Sequence, residues 1–311
     1  MIVTVTLNPS LDRTLHFGFV GWGMVNRATS SALDYSGKGV NVSVALRNLG
    51  QPSIIMGLAA GSGGRLLVEG LRARDFRCEF VETMGETRSN ITVIEDGTGR
   101  SMKLNEPGAP VTPAVLSELQ DRLAALLSPG DIVALAGSLP PGAPVDTYAR
   151  LISVAHRHGA RVALDSSGPA LAAGCQAVPD LIKPNEHEAA ELLGRSTAGR
   201  LPETLSALRG LGPDRVLLSL GAAGAAFAGE GRSWCATPPA VAEVNSVGAG
   251  DAALAGALAA WSLDRSGDEL LRLAVATGTA AACLDGTAFP DRAAVDALLP
   301  QVRVEVLESW P

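Results

Sequence analysis

The chain has 311 residues, 47% hydrophobic and 18% charged, enough to bury a sizeable core as one large domain or two smaller ones and too apolar for disorder. A formal net charge of −7 with only 4% aromatic residues argues against a nucleic-acid surface and leaves an anionic small molecule possible only where positive charge gathers locally. No apolar run reaches the ~18 residues of a membrane span, and the N-terminal MIVTVTLNPS lacks the basic and apolar regions of a signal peptide, so no membrane partner is expected.

In chain order, β-branched apolar runs alternate with helical patterns. The first strand, IVTVTL (2–7), leads into TLNPSLDRTL, which sets Asp12 just past a strand end, where α/β sheets expose ligand sites; alone, such a residue reads as part of a turn. A strand-rich stretch, 13–35, precedes a helix over 39–49 whose entrance, YSGKGVNV, is a glycine turn with Lys38 in the loop and Asn41 in the first helical turn. It offers donors to hydroxyl or phosphate oxygens but is no Walker A, because G-K-[ST] is absent. SIIMGLA (53–59) reads as a strand and 63–74 as a helix; TRSNITVIE and RSMKLN then form a hairpin around Asp96-Gly97-Thr98-Gly99. Segments 13–35 and 87–106 together read as a small sheet inserted into a single core domain, a lid or an edge decoration. Such a sheet is marginal alone in water, so two copies are expected to pack lid to lid as a homodimer.

Beyond it come helices over 113–127, 145–158, 186–193 and 203–210, strands DIVALAG (131–137), RVALDS (161–166) and DRVLLSL (214–220), and helices over 249–262, 268–284 and 291–299. The alternation specifies an α/β fold with a mostly parallel sheet flanked by helices. In IKPNEHEAAELLG, Asn185 and Glu188 stand at i, i+3 on one helical face, suited to a hydrated magnesium ion, although for this motif by itself a capping box is the better explanation. Cys78, Cys175, Cys235 and Cys283 form no C-x-x-C pair and read as free thiols in a reducing compartment, the cytoplasm. His156 and His158 are two apart and cannot share a helical face; His16 and His187 have no partner in sequence, so all four read as non-catalytic. Asp165, followed by two serines without a G-x-S-x-G turn, reads as a strand end lining the cleft.

NSVGAGD (245–251) sets Gly248, Ala249, Gly250 and Asp251 at the start of the apolar helix AALAGALAAW. Unpaired N–H groups and the helix dipole make such an entrance an anion site, and glycines let the backbone approach the anion. A carboxylate there is repulsive unless it has a task, such as taking a proton from an attacking hydroxyl; in isolation the same four residues would be a tight turn with a dipole-complementing acid.

TLNPSLD, SGKGVNV, ETRSNI, NEPG, AGSLPPG, LDSSGPAL, IKPNEHE, SLGAAGA and NSVGAGD, in this order over nearly the whole chain, resemble the ribokinase-type (PfkB-type) sugar kinases of the phosphosugar branch. The resemblance implies a doubly wound core with a β-sheet lid, ATP with magnesium, and transfer of the γ-phosphoryl group to a sugar hydroxyl. It assigns the base to Asp251 and the anion hole to Gly248, Ala249 and Gly250. Sugar hydroxyls fall to Asp12, Gly37 and Asn41, with a further contact from Ser138; the phosphate already on the substrate falls to Lys38, Arg88 and Arg27. Lys183, Asn185, Ser219 and Gly221 lie along the nucleotide path, with Glu188 toward the metal through water. GETRSNI and NSVGAGD are similar to the members acting on fructose 1-phosphate, ahead of tagatose 6-phosphate or fructose 6-phosphate. Many relatives have Gly at the Ser36 position, Asp or another polar residue at Asn245, and some have Asn near Leu284, where the adenine pocket is expected. A non-catalytic sugar-phosphate sensor on the same fold is the alternative from another class, which a missing Asp251 would have favoured.

Overall fold

The computed structural model describes residues 1–265, 267–286 and 288–309. The chain enters through β1 (Ile2–Thr6), leaves the main sheet for the hairpin β2 (Ser10–Phe17) and β3 (Ser30–Ser36), and returns through α1 (Lys38–Asn48), β4 (Ser53–Ala60), α2 (Gly61–Arg72) and β5 (Arg77–Thr83). A second excursion is the hairpin β6 (Arg88–Glu95) and β7 (Arg100–Asn105). Strands and helices then alternate through α3 (Pro113–Leu126), β8 (Ile132–Ala136), α4 (Thr147–Arg157), β9 (Arg161–Asp165), α5 (Gly168–Cys175), β10 (Leu181–Ile182), α6 (Glu186–Leu193), α7 (Leu201–Arg209) and β11 (Arg215–Ser219). The chain closes with β12 (Ala225–Gly229), β13 (Arg232–Thr237), α8 (Ala249–Trp261), α9 (Gly267–Ala282), α10 (Arg292–Leu298) and β14 (Arg303–Ser309).

The main sheet has the order β14-β13-β12-β11-β10-β9-β8-β1-β4-β5. The ladders from β5 through β11 are parallel, and β12, β13 and β14 add antiparallel edges. β1 is buried throughout because it lies between two helical layers. Val3 and Val5 pack with side chains of α3, α4 and α7 on one face, while Ile2 packs with α1, α8 and α9 on the other. The connection reverses direction across β1 and β8, so the crevice beyond their carboxyl ends is the topological switch point, where open α/β sheets hold ligands.

The two excursions form one separate sheet, β3-β2-β6-β7, in which β2 and β6 run parallel and each carries its own antiparallel hairpin partner. It begins at Ser10, three residues before the expected boundary, so Asp12 stands on a strand of this sheet and not in a turn after β1. All five expected core strands are present, and each expected helix overlaps an observed one. Pattern reading passed over β5, β10, β12, β13, β14 and α5. β12 (AAFAG) lacks β-branched residues, and α5 (GPALAAGC) is too short and uniformly apolar to show a period. No helix among the described residues is long and apolar enough to cross a membrane.

Candidate active site

Two helix entrances face each other at the switch point. Gly37 caps α1 with φ 128°, and a Cβ there would stand 2.7 Å from Thr6 Cγ2 and 3.1 Å from Pro9 Cα, so only glycine lets the loop pack on the end of β1. Gly248 caps α8 in the left-handed region at φ 81°. Asn41 Nδ2 donates to Asp251 Oδ2 at 2.8 Å, joining the first turn of α1 to the first turn of α8 across 210 residues of sequence. Ser36 Oγ donates to Asn41 Oδ1 at 3.4 Å, which orients the amide with its nitrogen toward the carboxylate. The Gly250 and Asp251 N–H groups have no partner among the described residues, whereas Ala249 N–H donates to Ser246 O at 3.2 Å. Of the residues expected to form an anion hole, Gly248, Ala249 and Gly250, the Ala249 amide is engaged within the turn, whereas the Gly250 amide and the neighbouring Asp251 amide are not.

Asp165, at the end of β9, is fully buried, and two ammonium groups converge on it. Lys38 Nζ donates to Oδ1 at 2.9 Å, and Lys183 Nζ, itself 5% exposed, lies 3.1 Å from Oδ2. Burial pushes the Asp165 carboxyl up, but Lys183 and Lys38 outweigh it and hold the group below the ordinary range. Burial likewise lowers the Lys38 ammonium, and the Asp165 carboxylate more than reverses this. Asp251 is the exception. Burial and the negative charge of Asp165 push it up to about 6 despite the Asn41 bond and the two lysines. A carboxylate poised near neutrality, beside two cations and a free-amide helix entrance, can accept a proton where an anion is also held.

The second sheet brings in its own set. Asp12 Oδ1 accepts from Ser10 Oγ at 2.7 Å and from Asn90 Nδ2 at 2.8 Å, on ladder positions facing each other across β2 and β6. Arg88, two residues before Asn90, is half-buried; its Nε has no partner, its Nη1 reaches Glu106 O only at 3.5 Å, and burial lowers its pKa. The Asp12 carboxylate offsets part of that burial effect, but no ion pair among the described residues engages the guanidinium. Ser138 Oγ accepts from Asn8 Nδ2 at 3.4 Å just beyond β8. Arg27 lies in the exposed connection of the β2–β3 hairpin, at the opposite end of β2 from the Ser10–Arg88 pair. Lys38 and Arg88 are held by different partners and do not share a contact.

Asn185 and Glu188 form the reciprocal capping box of α6: Asn185 Oδ1 accepts from Glu188 N–H, and Glu188 Oε2 from Asn185 N–H, each at 2.9 Å. Ser219 Oγ donates to Pro184 O at 3.4 Å and bridges this segment to the end of β11, where Gly221 opens a short turn at φ 58°. Asn245 donates to Gly286 O at 2.8 Å and accepts from Val247 N–H at 3.0 Å, fastening the approach to Gly248. Sequence reasoning missed the pairing role of Asp165, whose signal was a lone acid at a strand's carboxyl end, and also Asn8 and Asn90, which carry no signal beyond their place in NPS and TRSN.

The pfkB family carbohydrate kinase model matches residues 7–294, which include every residue of this cluster. The chain is 36% identical over 309 residues to the 1-phosphofructokinase of Rhodobacter capsulatus, covering 98% of each chain. It is 39% identical over 269 residues to that of Xanthomonas campestris, covering 84% of each. Phosphofructokinase-2 from Escherichia coli in complex with fructose-6-phosphate superposes with a TM-score of 0.90 at 28% identity, covering 96% of this chain and 98% of that one. The family match runs through both helix entrances and the Asn41–Asp251 contact that joins them, and the chain belongs to the pfkB family of carbohydrate kinases.

Proposed function

We propose that this kinase transfers the γ-phosphoryl group of ATP to the free primary hydroxyl of a ketohexose phosphate, converting fructose 1-phosphate to fructose 1,6-bisphosphate. The observation that carries the reading is the Asn41–Asp251 contact at 2.8 Å, which fixes a buried carboxylate at the entrance of α8 beside Lys38 and Lys183. Asp251 takes the hydroxyl proton as the oxygen attacks the γ-phosphorus; the bond from phosphorus to the bridging oxygen breaks, and ADP leaves with that electron pair. The free N–H groups of Gly250 and Asp251 and the two ammonium groups oppose the charge on the transferring phosphoryl oxygens. Asp12, held by Ser10 and Asn90, and Asn41 orient the sugar hydroxyls, and Arg88 meets the phosphate at the other end of the sugar. Ser138 stands beside the same crevice, while Ser219 and Gly221 lie on the nucleotide side.

Among the described residues no group of three or more His, Cys, Asp or Glu could hold a metal ion by itself. Glu188, with one carboxylate oxygen engaged by the α6 cap, fits magnesium held mainly by water and phosphate oxygens. When bound, magnesium supplies neutralisation of charge on the β- and γ-phosphoryl oxygens.

A ketohexose furanose carries primary hydroxyls on both sides of its ring, so a 6-phosphate in the flipped pose is the second reading, favoured by the likeness to a phosphofructokinase-2 solved with fructose-6-phosphate. Coupled measurement of ADP release with fructose 1-phosphate, fructose 6-phosphate, tagatose 6-phosphate and fructose decides between them. The highest kcat/KM for fructose 1-phosphate supports the first reading; no turnover with any of them overturns both.

The second sheet also fits a homodimer. Its β2–β3 connection exposes Phe19, Trp22, Met24 and Val25, Trp22 to 89%, and β7 exposes Met102 and Leu104. A like sheet from a second copy would cover them.

A further inference from the structure

The stretch GSGG, residues 61–64, is a third glycine-rich helix entrance, and the phosphoryl-transfer reading leaves it unused. What fills it is the chain's own segment 86–87. Glu86 accepts from Ser62 N–H at 3.2 Å, from Ser62 Oγ at 3.1 Å and from Gly63 N–H, so its carboxylate occupies the place an anion would take at the start of α2. The next residue binds the core strand instead of the helix. Thr87 N–H donates to Ala60 O at 2.9 Å, and Thr87 Oγ accepts from Ala60 N–H at 2.9 Å, a two-point bond to the last residue of β4 with Thr87 only 5% exposed.

The glycines make room for this contact. A Cβ on Gly63 would stand 2.9 Å from Glu86 Oε1 and 3.2 Å from Thr87 O; on Gly64 it would stand 2.9 Å from Thr87 Oγ and 2.8 Å from the Ala59 carbonyl carbon. An ordinary helix cap needs no such clearance over two successive glycines and no bond to the preceding strand. Arg88 follows directly. It opens β6 in register with Ser10, and on its other side Ser89 N–H donates to Glu106 Oε2 at 2.8 Å. The guanidinium with the unpartnered Nε is therefore anchored at both flanks, to the core through Thr87 and to Glu106 through Ser89.

We infer that Glu86 and Thr87 are positioning residues for substrate phosphate: docked on the glycine-bared start of α2, they latch the second sheet to the core and set where the Arg88 guanidinium stands. The inference rests on the reading of Arg88 as a phosphate ligand. Its structural half, the latch itself, is measurable apart from turnover.

The test uses the full-length enzyme with Glu86→Ala, Glu86→Gln, Thr87→Val and Arg88→Ala, singly and with Thr87→Val and Arg88→Ala combined. Thr87→Val removes one buried hydrogen bond and should raise KM for fructose 1-phosphate about three- to tenfold. KM for ATP should stay unchanged and kcat should stay within about twofold, since a contact made alike in bound substrate and transition state moves KM alone. Glu86→Ala should behave similarly, and Glu86→Gln, whose amide oxygen still accepts, should recover part of the loss. In the Arg88→Ala background Thr87→Val should add nothing, because the group it positions is gone. The same fold-increase in both backgrounds overturns the positioning role. Amide hydrogen exchange over residues 88–91 should accelerate in Thr87→Val and Glu86→Ala relative to β1, and unchanged exchange overturns the latch. Absence of turnover by the wild type with every ketohexose phosphate overturns the phosphate reading alone, leaving the exchange result to judge the latch.

Discussion

Replacing Asp251 by Asn removes a proton acceptor and a buried charge together, and the two losses pull activity and stability in opposite directions. Asp251 is 7% exposed, and its carboxyl is pushed from 3.8 up to about 6 by burial and by Asp165. A displacement of ~2 pH units corresponds to ~3 kcal/mol at ~1.4 kcal/mol per unit. The folded value lies above the unfolded one, so the folded state binds the proton more tightly. That contribution is fully present below pH 3.8 and is lost as the pH rises through about 6. Asn has nearly the same shape, can accept the Asn41 bond through its amide oxygen, and carries no charge to bury. Urea unfolding should therefore find Asp251→Asn more stable than the wild type by about 1–3 kcal/mol at pH 8 and nearly equal at pH 4. The coupled assay should show kcat lowered by about 10²–10⁴, the ordinary loss on removing a general base. A kcat within tenfold of wild type would remove Asp251 from the chemistry. A variant less stable than wild type at pH 8 would refute the argument that the site holds this charge at a cost to the fold.

The same displacement predicts that wild-type kcat/KM falls as the pH drops through about 6, where Asp251 of the free enzyme becomes protonated, and a kcat/KM flat down to pH 5 in a pH–rate profile would contradict it. Arg88→Ala should raise KM for fructose 1-phosphate about ten- to a hundredfold through loss of a charge-assisted contact, with KM for ATP unchanged and discrimination against unphosphorylated fructose reduced, as initial-rate kinetics will show. Asp165→Asn strands Lys38 and Lys183 without their shared carboxylate and should cost about 3–5 kcal/mol in denaturant unfolding. It also removes the charge that raises Asp251, so in folded variant protein the acidic limb of the pH–rate profile should move to lower pH. Trp22→Lys should convert a dimer to monomer in light scattering at micromolar concentration, and a wild type already monomeric there would reject the paired-sheet arrangement.

What the sequence made legible follows from the range of each interaction. β1, β4, β8, β9 and β11 announce themselves because a strand buried on both faces must be a continuous apolar run, and Gly37 and Gly248 do so because glycine at a helix entrance already states that backbone or ligand comes close. Asp165 and Lys38 are 127 residues apart, and no periodicity joins them; their pairing exists only because β9 ends and α1 begins at the same edge of the sheet. The same holds for Asn41 with Asp251. GSGG shows the limit most clearly. Sequence reading passes over its glycines, because the group that occupies the entrance, Glu86, comes 23 residues beyond Gly63 and is brought there by the fold. A glycine-rich helix entrance leaves room for an anion, and only the tertiary fold decides whether donors stay free for one from outside, as the amides of Gly250 and Asp251 do, or meet the protein's own, as at α2.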